Sequence, residues 1–245
     1  MQKRWVFFDA VGTLFAVRGS VGRQYARVAG RFGCGATAGE LERIFHTRFA
    51  AAPPLALRPA PNDADTLRKH EFQGWRQIAF DVLEGAGGVT DFDRCFEEIF
   101  HTFGTAACWE LYPDTAATLR LLRSYQCGIG IISNFDSRLG PLLEDLGIGC
   151  WIDHVVTSST CGAAKPDAGI FRFACKLAGC AAGDAWHVGD SRADDCSGAS
   201  RSGMKPVLVD RRDRHTDYEG HRVRRLSQLP RLLGFQETSC RTRTS

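Results

Sequence analysis

Two acidic segments contain the residue types needed for nucleophilic attack and for metal binding. Asp9 follows a short apolar run and precedes Gly12-Thr13, so a carboxylate nucleophile would lie above a tight turn that can hold an oxyanion. Asp190, followed by Asp194 and Asp195, belongs to a cluster of hard oxygen ligands of the kind that Mg²⁺ prefers. The sequence therefore predicts a reactive carboxylate and a divalent cation site.

Two further segments contain groups suited to binding the oxygen atoms of a phosphate. Ser133 and Asn134 offer a hydroxyl group and backbone N–H groups at the end of another apolar run. Lys165 precedes Pro166-Asp167 at a predicted helix start, where its ammonium can neutralise both a carboxylate and a phosphate. Each segment alone is more often a turn or a helix cap. All four follow predicted strands, however, and this joint pattern favours one shared site.

Five short apolar runs predict the strands that position these segments. They are continuous rather than alternating, which is typical of parallel strands buried on both faces. The runs are 5–8, 129–132, 154–157, 185–188 and 206–209. Helical patterns lie between them, and such alternation predicts an α/β fold with a doubly wound parallel sheet. Ligands of these sheets bind at the carboxyl ends of the strands, where the four polar segments lie.

The stretch from residue 18 to residue 109 contains helical patterns and no strand-like run. The patterns cover about 21–32, 41–49, 67–83 and 92–103, and a proline-rich break lies at 53–61. We therefore predict an all-helical cap domain over 18–109, inserted into a core domain formed by 1–17 and 110–245. Within the cap, Phe72, Trp75 and Phe80 recur at helical spacing, so we expect them in its core rather than in a substrate wall.

Composition places the chain among globular proteins. Of its 245 residues, 44% are hydrophobic and 24% are charged, which argues against a disordered chain. The formal net charge of +3 gives no support for nucleic-acid binding. The segment 211–245 contains nine arginines against four acidic residues, a balance best explained by a solvated helix and a basic tail. A protein partner for that tail stays open.

Neither a membrane segment nor a disulfide framework is predicted. No apolar run reaches the roughly 18 residues needed to span a bilayer. The apolar run after the N-terminal basic residues stops at Asp9 and is too short for a signal peptide. We therefore expect no targeting segment and a cytoplasmic location. Ten cysteines occur without a C-x-x-C pair, which predicts reduced, mostly buried thiols.

In order and position, the four polar segments resemble the four motifs of the haloacid dehalogenase superfamily, and the resemblance covers nearly the whole chain. The helical insertion resembles the C1 cap of the dehalogenase- and phosphatase-like branch. The segment 7–15, FFDAVGTLF, with 17–22 after it, is similar to the rhythmically-expressed-gene-product-like subfamily. The resemblance implies a Mg²⁺-dependent hydrolase that acts on a small phosphorylated substrate.

The resemblance also implies a role for each polar residue. Asp9 would form an aspartyl-phosphate, and Lys165 would screen the charge between Asp9 and the phosphate. The residues that would hold the phosphoryl oxygens are Gly12, Thr13, Ser133 and Asn134. The residues that would hold Mg²⁺ or support it are Asp9, the backbone carbonyl of Val11, Asp190, Asp194 and Asp195. Of these, Asp195 matches the position that orients a metal-bound water or Lys165, with help from Asp194.

Val11 departs from the pattern of the superfamily's phosphatases. Those enzymes carry a second Asp at this position, two residues after the nucleophile, which protonates the leaving group and then activates water. The valine side chain cannot move a proton, and the loss of a positioned acid/base costs about 10²–10⁴-fold in rate. We therefore expect slow turnover.

Three functions are compatible with this pattern. The first is a slow Mg²⁺-dependent phosphatase, and the second is a catalytically degenerate binding or interaction protein, favoured by Val11 and the basic tail. The third is dehalogenation or C–P cleavage, because dehalogenase-type members also lack the second Asp. Those members replace the metal carboxylate of the fourth motif with Ser and Asn. This chain keeps Asp190, Asp194 and Asp195, so the phosphatase is preferred.

Overall fold

A six-stranded sheet forms the centre of the computed structural model, which describes residues 3–235. The strands along the chain are β1 (Trp5–Phe8), β2 (Phe15–Val17), β3 (Trp109–Leu111), β4 (Gly128–Ser133), β5 (His154–Thr157), β6 (Ala185–Gly189), β7 (Lys205–Val209) and β8 (His221–Val223). Strands β2 and β3 pair antiparallel as a separate ribbon, and the other six form an all-parallel sheet in the order β5-β4-β1-β6-β7-β8. The predicted fold class and the five predicted strands are confirmed. The strands β2, β3 and β8 escape prediction because three residues carry too short a pattern.

Ten α-helices occur within the described residues. They are α1 (Val21–Ala29), α2 (Ala38–Ala51), α3 (Ala64–Glu84), α4 (Phe92–Phe103), α5 (Thr115–Ser124), α6 (Leu139–Asp145), α7 (Ser158–Cys161), α8 (Ala168–Ala178), α9 (Gly198–Arg201) and α10 (Leu229–Leu232). Helix α2 begins with a capping box formed by Thr37 and Glu40. Helix α8 ends at Gly179 in the left-handed conformation, which glycine adopts without steric penalty.

The side chains of β1 alternate between the two faces of the sheet. Val6 and Phe8 belong to one buried apolar cluster, whereas Trp5 and Phe7 belong to another. Residues of α5 and α6 complete the first cluster, and residues of α8 complete the second. Because helices cover both faces, β1 is apolar at every position, which explains its continuous apolar run.

Helices α1 to α4 pack around an apolar cluster of their own, and this helical segment is called the cap below. Buried members of the cluster include Val28 of α1, Leu41 of α2, Val82 of α3 and Phe96 of α4. The chain enters the cap after β2 and leaves it before β3, and these two strands lie side by side. The β2–β3 ribbon therefore joins the cap to the part of the chain that contains the sheet.

A substitution at Gly130 of β4 would test how tightly the sheet is packed. A Cβ at this position would lie 2.5 Å from a ring carbon of the buried Phe7 on the neighbouring strand. We expect Gly130→Ala to lower the free energy of unfolding by about 1–3 kcal/mol, measured by urea denaturation, because overpacking forces neighbours to shift. Gly140→Ala in α6 is the matched control, since no atom lies within 4 Å of its Cβ. A Gly130→Ala protein as stable as the control would contradict this packing.

Several arginines of the segment 211–235 form ion pairs within the fold. Arg211 pairs with Asp114 at 3.2 Å, and Arg222 pairs with Asp213 at 2.7 Å. Arg224 also pairs with Asp213. These contacts account for part of the basic excess without any partner. The rest of the basic tail, residues 236–245, lies outside the described residues, so a protein partner for it stays a prediction.

The predictions on membrane segments and on cysteines can be compared with the structure of residues 3–235. No helix in this range has both the length and the apolar character needed to cross a membrane. The nine cysteines described here are all free, and most of them are buried or half-buried. The burial agrees with the predicted mostly buried thiols, and their reduced state stays a prediction.

Candidate functional site

The carboxyl ends of three neighbouring strands carry the predicted site residues. Strands β4, β1 and β6 are adjacent in the sheet; β4 ends at Ser133, and Asp9 and Asp190 directly follow β1 and β6. The backbone N–H of Asp9 donates to the carbonyl of Val188 at 2.8 Å, which fixes Asp9 beside β6. A cavity of about 490 Å³ lies above these residues and is lined by both the sheet edge and the cap. Its volume is within the range of sites that bind small organic ligands.

The ammonium group of Lys165 links two of the carboxylates. Its Nζ donates to Asp9 Oδ1 and to Asp195 Oδ1, both at 2.6 Å, and the lysine side chain is buried. His187 Nε2 lies 2.9 Å from Asp195 Oδ1, and the backbone N–H of Ser191 donates to Asp195 Oδ2 at 2.9 Å. Both oxygens of Asp195 are therefore engaged within the protein, and Asp195 holds Lys165 beside Asp9.

Asp9 and Asp190 provide oxygen atoms suited to a divalent cation. Carboxylate oxygens of Asp9, Asp190 and Asp195 lie within 4.8 Å of one another, and such hard oxygens are the ligands that Mg²⁺ takes in proteins. Gly12 has a φ of +91°, and a Cβ there would collide with the Asp190 carboxylate. Glycine therefore lets Asp190 approach the turn after β1. Since both oxygens of Asp195 are engaged within the protein, whereas Asp9 has one oxygen free of Lys165, Asp9 and Asp190 are the pair that fits a metal.

The structure does not bring Asp194 into this carboxylate group. Asp194 lines the cavity, and its Oδ2 accepts a hydrogen bond from Ser191 Oγ at 3.3 Å. Thr13 is buried, and its Oγ1 donates to Asp190 Oδ1 at 3.4 Å. Its hydroxyl therefore supports a carboxylate, and neither Thr13 nor Gly12 is among the residues that line the cavity. Val11 does line it, with an apolar side chain that is 37% exposed.

Ser133, the last residue of β4, and Asn134, which follows it, are both predicted to bind phosphate, but they differ in their surroundings. Ser133 is buried at the cavity floor. The side-chain amide of Asn134, however, donates to the Lys165 carbonyl at 2.9 Å and accepts from the Lys165 N–H at 2.7 Å. The side chain of Asn134 therefore fixes the backbone of Lys165, and phosphate binding by Asn134 stays a prediction that concerns its backbone N–H. The partner is 31 residues away in the chain, so no local pattern indicates it.

Burial and mutual repulsion shape the charges of the site. Burial raises the pKa of Asp9 to about 6, with Lys165 opposing the shift and the neighbouring carboxylates adding to it. Burial also raises the pKa of Asp190 to about 6, and the charge of Asp195 adds to this. Burial alone would raise the pKa of Asp195 too, but Lys165 and His187 hold it below the usual range. Burial would lower the pKa of Lys165, yet Asp9 and Asp195 raise it above its ordinary value. Asp9 and Asp190 are thus the carboxylates that a bound cation would stabilise most.

Two hydrogen-bonded contacts join α3 of the cap to the loop after β4. Glu71 is buried, and its carboxylate accepts from the backbone N–H of Ser137 at 2.9 Å and from its Oγ at 2.5 Å. Trp75 Nε1 donates to Oδ2 of the fully buried Asp136 at 2.6 Å. These contacts fix the position of α3 over the cavity.

The aromatic residues of α3 have three different environments. Trp75 packs against the cap cluster, as expected, and it also lines the cavity, which the helical spacing did not indicate. Phe72 packs against the cap cluster, as expected. Phe80 is 41% exposed and is not part of that core. Helical spacing indicates which residues share a face, but the docking of the cap on the sheet decides what that face contacts.

Comparison with known sequences identifies relatives along most of the chain. The family described as haloacid dehalogenase-like hydrolase matches residues 3–203. Haloacid dehalogenase-like hydrolase domain-containing protein 3 of Danio rerio is 31% identical over 237 residues, which cover 94% of this chain and 96% of that protein. The Rhythmically expressed gene 2 protein of Drosophila melanogaster is 28% identical, over 84% of this chain and 82% of that protein. The predicted superfamily and subfamily resemblances are confirmed.

Comparison with solved structures supports the same fold. A HAD phosphatase from Thermococcus onnurineus superposes with a TM-score of 0.65 at 22% identity, covering 95% of this chain and 99% of that one. The L-2-haloacid dehalogenase of Xanthobacter autotrophicus with chloropropionic acid covalently bound superposes with a TM-score of 0.72 at 17% identity, covering 95% and 98%. Since phosphatases and dehalogenases share the fold, the reaction has to be inferred from the residues of the site.

Proposed function

Because the chain belongs to the haloacid dehalogenase-like hydrolases, we propose that it is a slow Mg²⁺-dependent phosphatase that forms an aspartyl-phosphate on Asp9. The observation that carries the proposal is the arrangement of Asp9 at the cavity floor. Lys165 Nζ lies 2.6 Å from one of its oxygens, and the carboxylate of Asp190 is close enough to share a cation with it. A second carboxylate that could hold a metal beside Asp9 favours the phosphatase over the dehalogenase.

A bound Mg²⁺ would neutralise the charges of the phosphate and of Asp9, which otherwise repel each other. The residues of the chain do the rest. Lys165 engages Oδ1 of Asp9, so the other carboxylate oxygen is available for in-line attack on phosphorus. Asp195 and the side chain of Asn134 hold Lys165 in place. Water then cleaves the acyl phosphate and regenerates the Asp9 carboxylate.

The site lacks a side chain at position 11 that could transfer a proton to the leaving group. The side chain of Val11 occupies part of the cavity wall where the phosphatases of the superfamily place a carboxylic acid. Without a positioned acid, the leaving oxygen departs as an anion, and water attacks the intermediate without a base. Rates should therefore depend strongly on the basicity of the leaving group.

The test is a phosphate-release screen across phosphorylated metabolites, with Mg²⁺ and with EDTA. We expect Mg²⁺-dependent release together with a phosphoryl group on Asp9, detected by mass spectrometry after acid quench. Metal-independent halide release from 2-haloacids would overturn the proposal in favour of dehalogenation. A second candidate, a catalytically degenerate binding protein, is favoured by Val11. Its signature is Mg²⁺ or beryllofluoride binding without turnover of phosphates or 2-haloacids.

Mg²⁺ affinity should depend on pH. Carboxylate ligands must lose their protons to bind a metal, and the pKa values of Asp9 and Asp190 are raised to about 6. We therefore expect constant affinity above pH 7 and a loss of about tenfold or more as the pH falls from 6 to 5. Isothermal titration calorimetry measures this directly, without turnover. Asp190→Asn should bind weakly at both pH values, and equal wild-type affinity at pH 5 and pH 7 would contradict the assignment of the ligands.

A further inference from the structure

The cap side of the cavity is lined mainly by aromatic rings. Nine of the 23 residues that line the cavity are Phe, Tyr or Trp. Phe49 stacks with two of them, with ring centroids 5.4 Å from Phe45 and 5.8 Å from Trp75 and with nearly parallel planes. Phe49 nevertheless remains 44% exposed. A wall of this kind binds a flat apolar group, because such a group buries area against the ring faces.

Three polar side chains of this wall, those of Arg138, Trp75 and Trp109, already have partners within the protein. Arg138 donates to both oxygens of Asp136 through Nε and Nη2, and its Nη1 donates to the Phe100 carbonyl at 2.9 Å. Trp75 Nε1 also donates to Asp136, and Trp109 Nε1 donates to a backbone carbonyl at 3.0 Å. The wall therefore leaves few polar groups for the hydroxyls of a sugar or a polyol.

Within the part of the chain that the structure describes, the cavity also lacks a free positive charge for a second anionic group. Among the described residues that line it, the cations are Lys165 and Arg138. Lys165 is paired with two carboxylates, and Arg138 is paired with Asp136. His46 lies 3.2 Å from Glu42. A carboxylate or a second phosphate on the substrate would lose its hydration without meeting an unpaired cation, which is costly.

The valine at position 11 restricts the leaving group in a second way. A leaving oxygen that receives no proton from the enzyme must be stable as an anion. A phenol, with a pKa of about 10, meets this requirement far better than an aliphatic alcohol, whose pKa is near the value of about 16 for water. Both the ring-lined wall and the missing acid thus favour the same chemical class.

We propose, on the basis of the phosphatase function above, that the substrate is the phosphate monoester of an uncharged phenol, whose ring lies against Phe49 and Trp75. Attack by Asp9 forms its O–P bond while the bond from phosphorus to the aryl oxygen breaks. The phenolate leaves with the electron pair and takes a proton from solvent. Water then cleaves the acyl phosphate, which yields inorganic phosphate and restores the Asp9 carboxylate.

Assays with Mg²⁺ and four substrates test this assignment. The substrates are 1-naphthyl phosphate, phenyl phosphate, 4-carboxyphenyl phosphate and glycerol phosphate. We expect kcat/KM for 1-naphthyl phosphate to exceed that for glycerol phosphate by about 100-fold or more. We also expect kcat/KM for 4-carboxyphenyl phosphate to be about tenfold lower than that for phenyl phosphate. Phe49→Ala should reduce the preference for 1-naphthyl phosphate by about tenfold. Phe173→Ala is the matched control, because Phe173 is 45% exposed and does not line the cavity.

Binding of 1-naphthol separates failure of this inference from failure of the phosphatase function. Naphthol needs no chemistry at Asp9, and Trp75 in the wall provides a fluorescence signal. If no ester is hydrolysed but Phe49→Ala weakens naphthol binding and Phe173→Ala does not, the ring-binding wall is supported and only the reaction fails. Equal use of glycerol and naphthyl phosphates, equal use of phenyl and 4-carboxyphenyl phosphates, or naphthol binding unaffected by Phe49→Ala would overturn the inference.

Discussion

Asp9→Asn is expected to abolish Mg²⁺-dependent phosphate release, with a loss of about 10⁴-fold or more. An amide is a poor nucleophile, so no acyl phosphate can form. The fold should be preserved, because the amide oxygen of Asn can still accept the hydrogen bond that Lys165 donates to Asp9 Oδ1. The variant also removes one negative charge from the pair that fits a metal, which weakens the cation site. Initial rates at saturating Mg²⁺ and mass spectrometry of the quenched protein measure the effect.

Asp145→Asn is the matched control for this substitution. Asp145 is an exposed carboxylate at the end of α6, outside the cavity. The Asp145→Asn protein should retain wild-type turnover and wild-type Mg²⁺ affinity. An Asp9→Asn protein that retains more than a few per cent of the activity would show that another group attacks phosphorus.

Val11→Asp is expected to raise phosphatase turnover by about 10²–10⁴-fold, since it supplies the missing acid/base group. The side chain of Val11 is 37% exposed and lines the cavity, so a carboxylate there keeps contact with water and should cost little stability. The gain should be larger for glycerol phosphate than for phenyl phosphate, because the more basic oxygen needs the proton more. Comparison of kcat for the two esters measures this difference.

Val21→Asp controls for the added charge. Val21 also lines the cavity and is the first residue of α1, where a carboxylate is tolerated. It should leave phosphatase turnover unchanged or lower it. If Val11→Asp gives no gain on either ester, the explanation of slow turnover by the missing acid is wrong.

The sequence predicts the strands and the convergence of the polar segments because both depend on local patterns. Most positions of the apolar runs are buried, and the polar residues that follow Phe8, Ile132 and Gly189 come at the carboxyl ends of parallel strands. Parallel pairing of β4, β1 and β6 then brings Asp9, Ser133 and Asp190 to one edge, whatever the details of the loops.

Contacts between the cap and the sheet could not be predicted in the same way. The pairing of Trp75 with Asp136 joins residues 61 positions apart, and that of Glu71 with Ser137 joins residues 66 positions apart. Each depends on how two separately packed units dock. Helical spacing places Trp75 and Phe72 on neighbouring parts of one helix, and both pack against the cap cluster, but only docking makes Trp75 part of the cavity lining as well.

Because side chains alternate along β1, the packing of the sheet and the direction of the Asp9 side chain depend on each other. Deleting or inserting one residue between Trp5 and Asp9 would exchange the two faces of the strand, since successive side chains point in opposite directions. Phe7 and Phe8 would then face the wrong clusters, and the reactive carboxylate would turn away from Lys165. A register shift in this short strand would therefore lower the stability of the fold and abolish the reaction at Asp9. Core packing and the position of the nucleophile both fix the length of β1.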